Sequence, residues 1–341
     1  MPEEPSSVPR RLAVIGAGSF GTALATCAAR NRHEVLLWAR EPEVALEINR
    51  SHRNPYYLSD IRLPDNVSAT ASLEEALDSI DFVLIVVPSH AMREVVAGMS
   101  EFLSSDTVLV SAAKGVENGT LMRMDEVIAD VLKERFEPRF VALSGPSFAR
   151  EVARGDPTAI VAASREPAWA EMIQRQLSSS VFRIYTNDDV VGVELGGAVK
   201  NVVAIAAGVV RGLGFGLNAV AAIITRGLAE MTRLAIKQGA RVETMAGLAG
   251  LGDLVLTCTG ELSRNRYVGV ELGRGRALSE ILSEMREVAE GVKTTRAIYE
   301  LGIRLGVDLP ITSSIHALLY EDKPALEAAH ELMGRPLKRE I

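Results

Sequence analysis

Seven short apolar runs punctuate the first half of the chain: RLAVIG (11–16), HEVLLW (33–38), DFVLIVV (81–87), DTVLVSA (106–112), RFVALSG (139–145), PTAIVAAS (157–164) and VFRIYTNDD (181–189), the last passing into a polar turn. Runs with little polar alternation are how strands buried on both faces of a parallel sheet read. Stretches with helical character lie between them, at 20–31, 72–79, 89–103 and 119–135. The alternation predicts a doubly wound α/β domain. From about Val190 the pattern changes. Helical periodicity recurs at 195–208, at 218–239 (closed by Gly239), at 291–305 and at 311–321, with almost no β-branched alternation. The expectation is therefore an N-terminal sheet domain, 1–188, followed by an all-helical C-terminal domain, 189–341, joined near 187–192.

The first strand runs straight into VIGAGSFGTALA, which carries Gly16, Gly18 and Gly21 in the G-x-G-x-x-G spacing. Between a strand and a helix, that spacing is a dinucleotide fingerprint, and it makes the sheet domain Rossmann-type. Gly16 allows the tight turn, Gly18 lets backbone approach a pyrophosphate, and Gly21 lets the helix pack close to the sheet. Backbone N–H groups of Ser19, Phe20 and their neighbours then point at the phosphates. At the end of the second strand, where an acid selects NAD through the ribose 2′-hydroxyl, the chain reads Leu37-Trp38-Ala39-Arg40-Glu41. Arg40 stands where a guanidinium can grip a 2′-phosphate, which favours NADP over NAD. The other reading pairs it locally with Glu41.

One lysine is out of keeping with its surroundings. In LGGAVKNVVAIAAG (195–208) Lys200 is the only charged residue and Asn201 the only other strongly polar one. At about 100° per residue, Leu195, Val199, Val202 and Ala206 share a face, and Lys200 lies on another with Gly196, Ala204 and Ala207. An ordinary amphipathic helix would put such a lysine in water. A side lined with Gly and Ala instead lets a neighbour approach, and partial desolvation moves an ammonium toward acid–base chemistry. A carboxylate such as Asp253, in the glycine-rich GLGDL, would hold it in place. Asn201 reads equally as a polarising amide or as a helix-surface residue. In GELSRNR (260–266) Ser263 has the place of a helix N-cap, and with Arg264 and Asn265 it supplies three donors in succession.

Composition narrows the function classes. The chain has 341 residues, 48% hydrophobic and 24% charged, with a net charge of −7. This is an ordinary globular balance that disfavours attraction to nucleic acid or an anionic membrane. The start has no secretory signal and no uncharged run has the length of a membrane span, so the expected location is cytoplasmic, with no membrane insertion. Cys27 and Cys258 lie far apart, and the five histidines form no metal or triad spacing, so no metal site is expected.

GAGSFGTALA, LLWAR, AAKGVE, SGPSFARE, LGGAVKNVVAIAAG, GLGDLVLTCTGELSRNR and VAEGVKT together resemble bacterial NAD(P)-dependent glycerol-3-phosphate dehydrogenase, from about residue 11 to residue 330. The resemblance implies reversible reduction of dihydroxyacetone phosphate to sn-glycerol 3-phosphate for glycerophospholipid synthesis, with Lys200 as catalytic acid and base. It implies substrate contacts from Lys114, Gly145, Ser147, Lys200, Asp253, Ser263, Arg264 and Asn265. Cofactor contacts would come from Ser19, Phe20, Arg40, Lys114, Ala149, Arg264, Val288 and Glu290. The alternatives are a related two-domain dehydrogenase acting on a hydroxy acid or sugar acid, and a non-catalytic NAD(P)H-binding regulator. The oligomeric state stays open between monomer and homodimer.

Overall fold

The computed structural model describes residues 9–285, 289–337 and 339. It divides into two compact units: Met1–Lys114 with Met122–Glu194, and Gly115–Leu121 with Leu195–Ile341. The division falls at 194/195, inside a helix, rather than at the expected 188/189. The short excursion at Gly115–Leu121 had no signal in the sequence.

The first unit runs β1 (Arg11–Ile15), α1 (Ser19–Arg30), β2 (Glu34–Trp38), α2 (Pro42–Ser51), β3 (Val67–Thr70), α3 (Leu73–Leu77), β4 (Phe82–Ile85) and α4 (Met92–Met99). It continues with β5 (Val108–Ser111), α5 (Met124–Leu132), β6 (Arg139–Ser144), α6 (Ala149–Arg154), β7 (Thr158–Ala163), α7 (Pro167–Leu177) and β8 (Phe182–Asn187). The strands form one sheet in the order β3-β2-β1-β4-β5-β6-β7-β8. The apolar runs are explained by burial on both sides. Leu12, Val14, Leu37, Leu84 and Val110 join one core, while Ala13, Ile15, Leu36, Ile85 and Leu109 join the other. Each Leu, Ile or Val among them contributes roughly 1.5–3 kcal/mol by leaving water.

One strand departs from the parallel reading: β7 runs antiparallel to β6. Its connection contains only the six-residue α6, about 9 Å long, whereas six residues of strand span about 20 Å. The next strand begins at the near end of β6 and runs back beside it.

The second unit's helices are α8 (Val190–Gly212, begun in the first unit), α9 (Leu217–Lys237), α10 (Val242–Ala246), α11 (Asp253–Thr259), α12 (Arg264–Gly273), α13 (Leu278–Glu284), α14 (Glu290–Leu305), α15 (Pro310–Tyr320) and α16 (Ala325–Met333). No strand occurs in this unit among the described residues. By length and composition α8 is apolar enough to cross a bilayer, but it is almost wholly buried inside the protein. Its small residues explain how. A Cβ on Gly208 or Gly212 would collide with backbone of α12 around Arg266, Gly269, Val270 and Gly273, and one on Gly196 would collide with Ala249. The first turns of α8 are fixed by Glu194, whose Oε1 accepts the Asp125 N–H at 3.0 Å and whose Oε2 lies 3.5 Å from Arg123 Nε. In α9 the buried Glu230 caps α15, accepting the N–H groups of Ile311 and Thr312.

Candidate active site

The glycine turn lies where the sheet order reverses, at the carboxyl end of β1 between β2 and β4. Ligands of open α/β sheets bind at this position. The three glycines have different reasons to be there. Gly16 has φ +118°, and a Cβ on it would meet Val86 O at 2.5 Å. A Cβ on Gly21 would overlap Gly16 O. Gly18 has an ordinary extended conformation and nothing within 4 Å of where a Cβ would stand. The fold therefore needs Gly16 and Gly21, while Gly18 leaves room for a ligand. Gly18 is also the N-cap of α1, and no side chain caps the helix, so its N-terminus suits an anion. Gly18→Ala is expected to keep stability within about 1 kcal/mol. It should also weaken NADPH at least about tenfold, or about 1.4 kcal/mol, read by fluorescence titration. Unchanged affinity would mean that no ligand uses this space.

Five more predicted positions follow carboxyl ends of parallel strands. After β2, Arg40 has a side chain 80% exposed and is paired with Glu41 through Nη2–Oε1 at 2.7 Å. An exposed pair of this kind is worth little and yields readily to a phosphate. After β5, Lys114 donates from Nζ to Gly145 O at 3.1 Å, with its ammonium 5.9 Å from the centre of the Phe20 ring. Ser147 Oγ donates to the same carbonyl at 2.9 Å. Gly145 has φ +139°, and a Cβ there would press on Ile160. Lys114, Gly145 and Ser147 thus form one cluster, with Ala149 opening α6 beside it.

In the second unit, Lys200 is only 6% exposed, which removes the reading of a solvated helix edge. Its ammonium is ion-paired with Asp253 Oδ1 and donates to Thr257 Oγ1 at 2.9 Å. Thr257 Oγ in turn donates to Asp253 O at 2.6 Å. Asp253 opens α11 directly after a π-helical turn, Leu248–Gly252, whose Gly250 fits against Met245. Such turns recur at functional sites. Sequence reading missed Thr257, although its spacing of four from Asp253 places both on one helix face. Neighbouring Cys258 is inert, since burial pushes its thiol up to about 12.

Ser263 is the N-cap of α12, its Oγ accepting the Arg266 N–H. Arg264 follows, exposed, at the first helical position. Asn265 is buried and braces three helices: its Nδ2 donates to Asn201 Oδ1 at 2.9 Å, and its Oδ1 accepts the Gly291 N–H at 2.9 Å. Asn201 is thus a buried tie and not a surface amide. Glu290 opens α14. Val288 lies outside the described residues.

A glycine turn at the switch point of a parallel sheet, followed by helices that carry a buried Lys–Asp pair, is the plan of a nicotinamide-dinucleotide dehydrogenase. Comparison with known proteins narrows the class. Residues 11–170 match the family profile described as NAD-dependent glycerol-3-phosphate dehydrogenase N-terminus, and residues 189–330 match that of its C-terminus. A glycerol-3-phosphate dehydrogenase (NAD(P)+) of Koribacter versatilis is 55% identical over 333 residues, covering 97% of this chain and 99% of the relative. One from Geobacter sulfurreducens is 55% identical over 330 residues, covering 97% and 98%. The crystal structure of glycerol-3-phosphate dehydrogenase from Coxiella burnetii superposes with a TM-score of 0.91 at 39% identity, covering 96% of this chain and 99% of that one. The chain belongs to the NAD-dependent glycerol-3-phosphate dehydrogenase family.

Proposed function

We propose that the protein reversibly reduces dihydroxyacetone phosphate to sn-glycerol 3-phosphate with NAD(P)H, supplying glycerophospholipid synthesis, and that Lys200 is its proton donor and acceptor. The observation that carries this is a single ammonium buried in an apolar helix and held by Asp253 and Thr257. Burying two charges carries a desolvation cost that packing alone does not call for, and such charges cluster at functional sites. When bound, the nicotinamide supplies or takes the hydride. As the ketone is reduced, negative charge grows on its oxygen. An N–H of Lys200 Nζ stabilises that charge and then delivers the proton, and in the reverse direction the neutral amine takes it back. Asp253 keeps the ammonium charged and oriented between turnovers. Asn201, next in sequence, braces the helix that carries Lys200 through its bond with Asn265.

On this reading the phosphate is held by Arg264 and the N-terminus of α12, with Lys114 and Ser147 completing the substrate contacts. The dinucleotide lies on Gly18, Ser19 and Phe20, with Arg40 on its 2′-phosphate. A reaction that draws on NAD(P)H and a triose phosphate belongs in the cytoplasm, where both pools are found. The cofactor preference is tested by Arg40→Asp. We expect NADPH to weaken by roughly ten- to a hundredfold, the value of a charged hydrogen bond, with NADH little changed. Equal effects on both cofactors would remove Arg40 from 2′-phosphate recognition. The reading as a whole is tested by supplying dihydroxyacetone phosphate beside hydroxy-acid and sugar-acid substrates; turnover of the acids alone would overturn it.

A further inference from the structure

Between α2 and β3 the chain makes a compact loop, residues 52–63, whose ends meet through the Leu63 N–H and His52 O at 2.8 Å. Half of the loop's residues are exposed, and Asn54 is 0% exposed while Arg53, Pro55 and Tyr56 around it face water. Its amide ties the loop to one distant segment, Ala17–Thr22. Nδ2 donates to Ala17 O at 2.8 Å and to Thr22 Oγ1 at 2.9 Å. Oδ1 accepts the N–H groups of Tyr56 at 3.3 Å and Tyr57 at 3.2 Å. A fully satisfied buried amide of this kind specifies one arrangement of the segments it joins. The loop is also anchored by Leu63, which joins the core, by Leu58 and Ile61, which pack against it, and by the exposed Arg150–Asp60 pair at 3.3 Å.

Ala17 is the middle residue of Gly16-Ala17-Gly18. Its carbonyl and the Gly18 N–H belong to one trans peptide, so they point in opposite directions. Drawing the carbonyl onto Asn54 turns the Gly18 N–H away from the loop and fixes its direction at the N-terminus of α1. The same side chain fixes the backbone at Tyr56 and Tyr57 by accepting both of their N–H groups. We infer that Asn54 is a positioning residue for the dinucleotide, locking the Ala17–Gly18 peptide in the geometry that receives the cofactor. This rests on the dinucleotide reading of the glycine turn. Nothing in it touches the proton chemistry at Lys200.

The test is a separation of binding from turnover. Asn54→Asp keeps the shape and the acceptor for the two tyrosine N–H groups but loses both donors; Asn54→Ala loses everything. For both variants the NADPH Kd and KM are expected to rise at least about tenfold. At saturating NADPH, kcat and the KM for dihydroxyacetone phosphate should stay within about threefold of the parent, because the reacting groups are untouched. Thr22→Val, which keeps the bond to Ala17, should weaken NADPH less than either. An Asn54→Asp enzyme with parental NADPH affinity overturns the inference. A kcat that falls in step with affinity, or failure of both Asn54 variants to fold, also overturns it, since Asn54 then serves only the fold. A parent protein that binds neither NADPH nor NADH would instead sink the dinucleotide reading itself, and the two failures are told apart by that one titration.

Discussion

Lys200→Met is expected to reduce dihydroxyacetone phosphate at least about a hundredfold more slowly than the parent, the scale for losing a positioned acid, while still binding NADPH. It is also expected to lose stability. Asp253 is 1% exposed, and taking away its ammonium leaves a buried carboxylate without its counter-charge, a loss of about 3–5 kcal/mol. Rate and stability are separated by the double variant Lys200→Met with Asp253→Asn, which removes both charges together. It should recover most of the lost stability in urea unfolding and none of the lost rate. Recovery of the rate would mean that the single variant was slow only because it was poorly folded. A Lys200→Met enzyme with near-parental kcat would take Lys200 out of the mechanism.

Arg264→Ala should act on the other end of the substrate. The side chain is exposed at the start of α12, so stability should move by no more than about 0.5 kcal/mol. Loss of a charged hydrogen bond to phosphate should cost roughly ten- to a hundredfold in kcat/KM for dihydroxyacetone phosphate, mostly through KM. Unphosphorylated dihydroxyacetone, a poor substrate without the phosphate, should lose little further. The ratio between the two substrates is the readout, and parallel losses would mark Arg264 as structural.

Where burial alone decides the pattern, the fold was legible. Leu12 to Ile15 and Phe82 to Ile85 read as strands because every side chain is enclosed on one face of the sheet or the other. The strand VSAT at Val67–Thr70 gave no such signal: it has four residues, and Ser68 is exposed. The reversal of β7 was invisible for a different reason. An apolar run carries no direction. In the site, the glycine turn could be read because its spacing and its position after a strand are both local. The partial burial of Lys200 could be read from the Gly and Ala beside it, but not what packs there, since the helices that meet α8 at Gly196, Gly208 and Gly212 are distant in sequence. Asn54 was passed over because a lone Asn-Pro in a loop looks like turn chemistry, and only the fold brings it to Ala17.

The most direct test of the account is the nicotinamide absorbance of the purified protein mixed with dihydroxyacetone phosphate and NADPH, then NADH, with the product identified. The account predicts that the reduced cofactor is consumed one for one with formation of sn-glycerol 3-phosphate, faster with NADPH, and that the reaction runs backwards when sn-glycerol 3-phosphate and the oxidised cofactor are supplied. Folded protein that binds the dinucleotide yet leaves its absorbance unchanged with this substrate would contradict it.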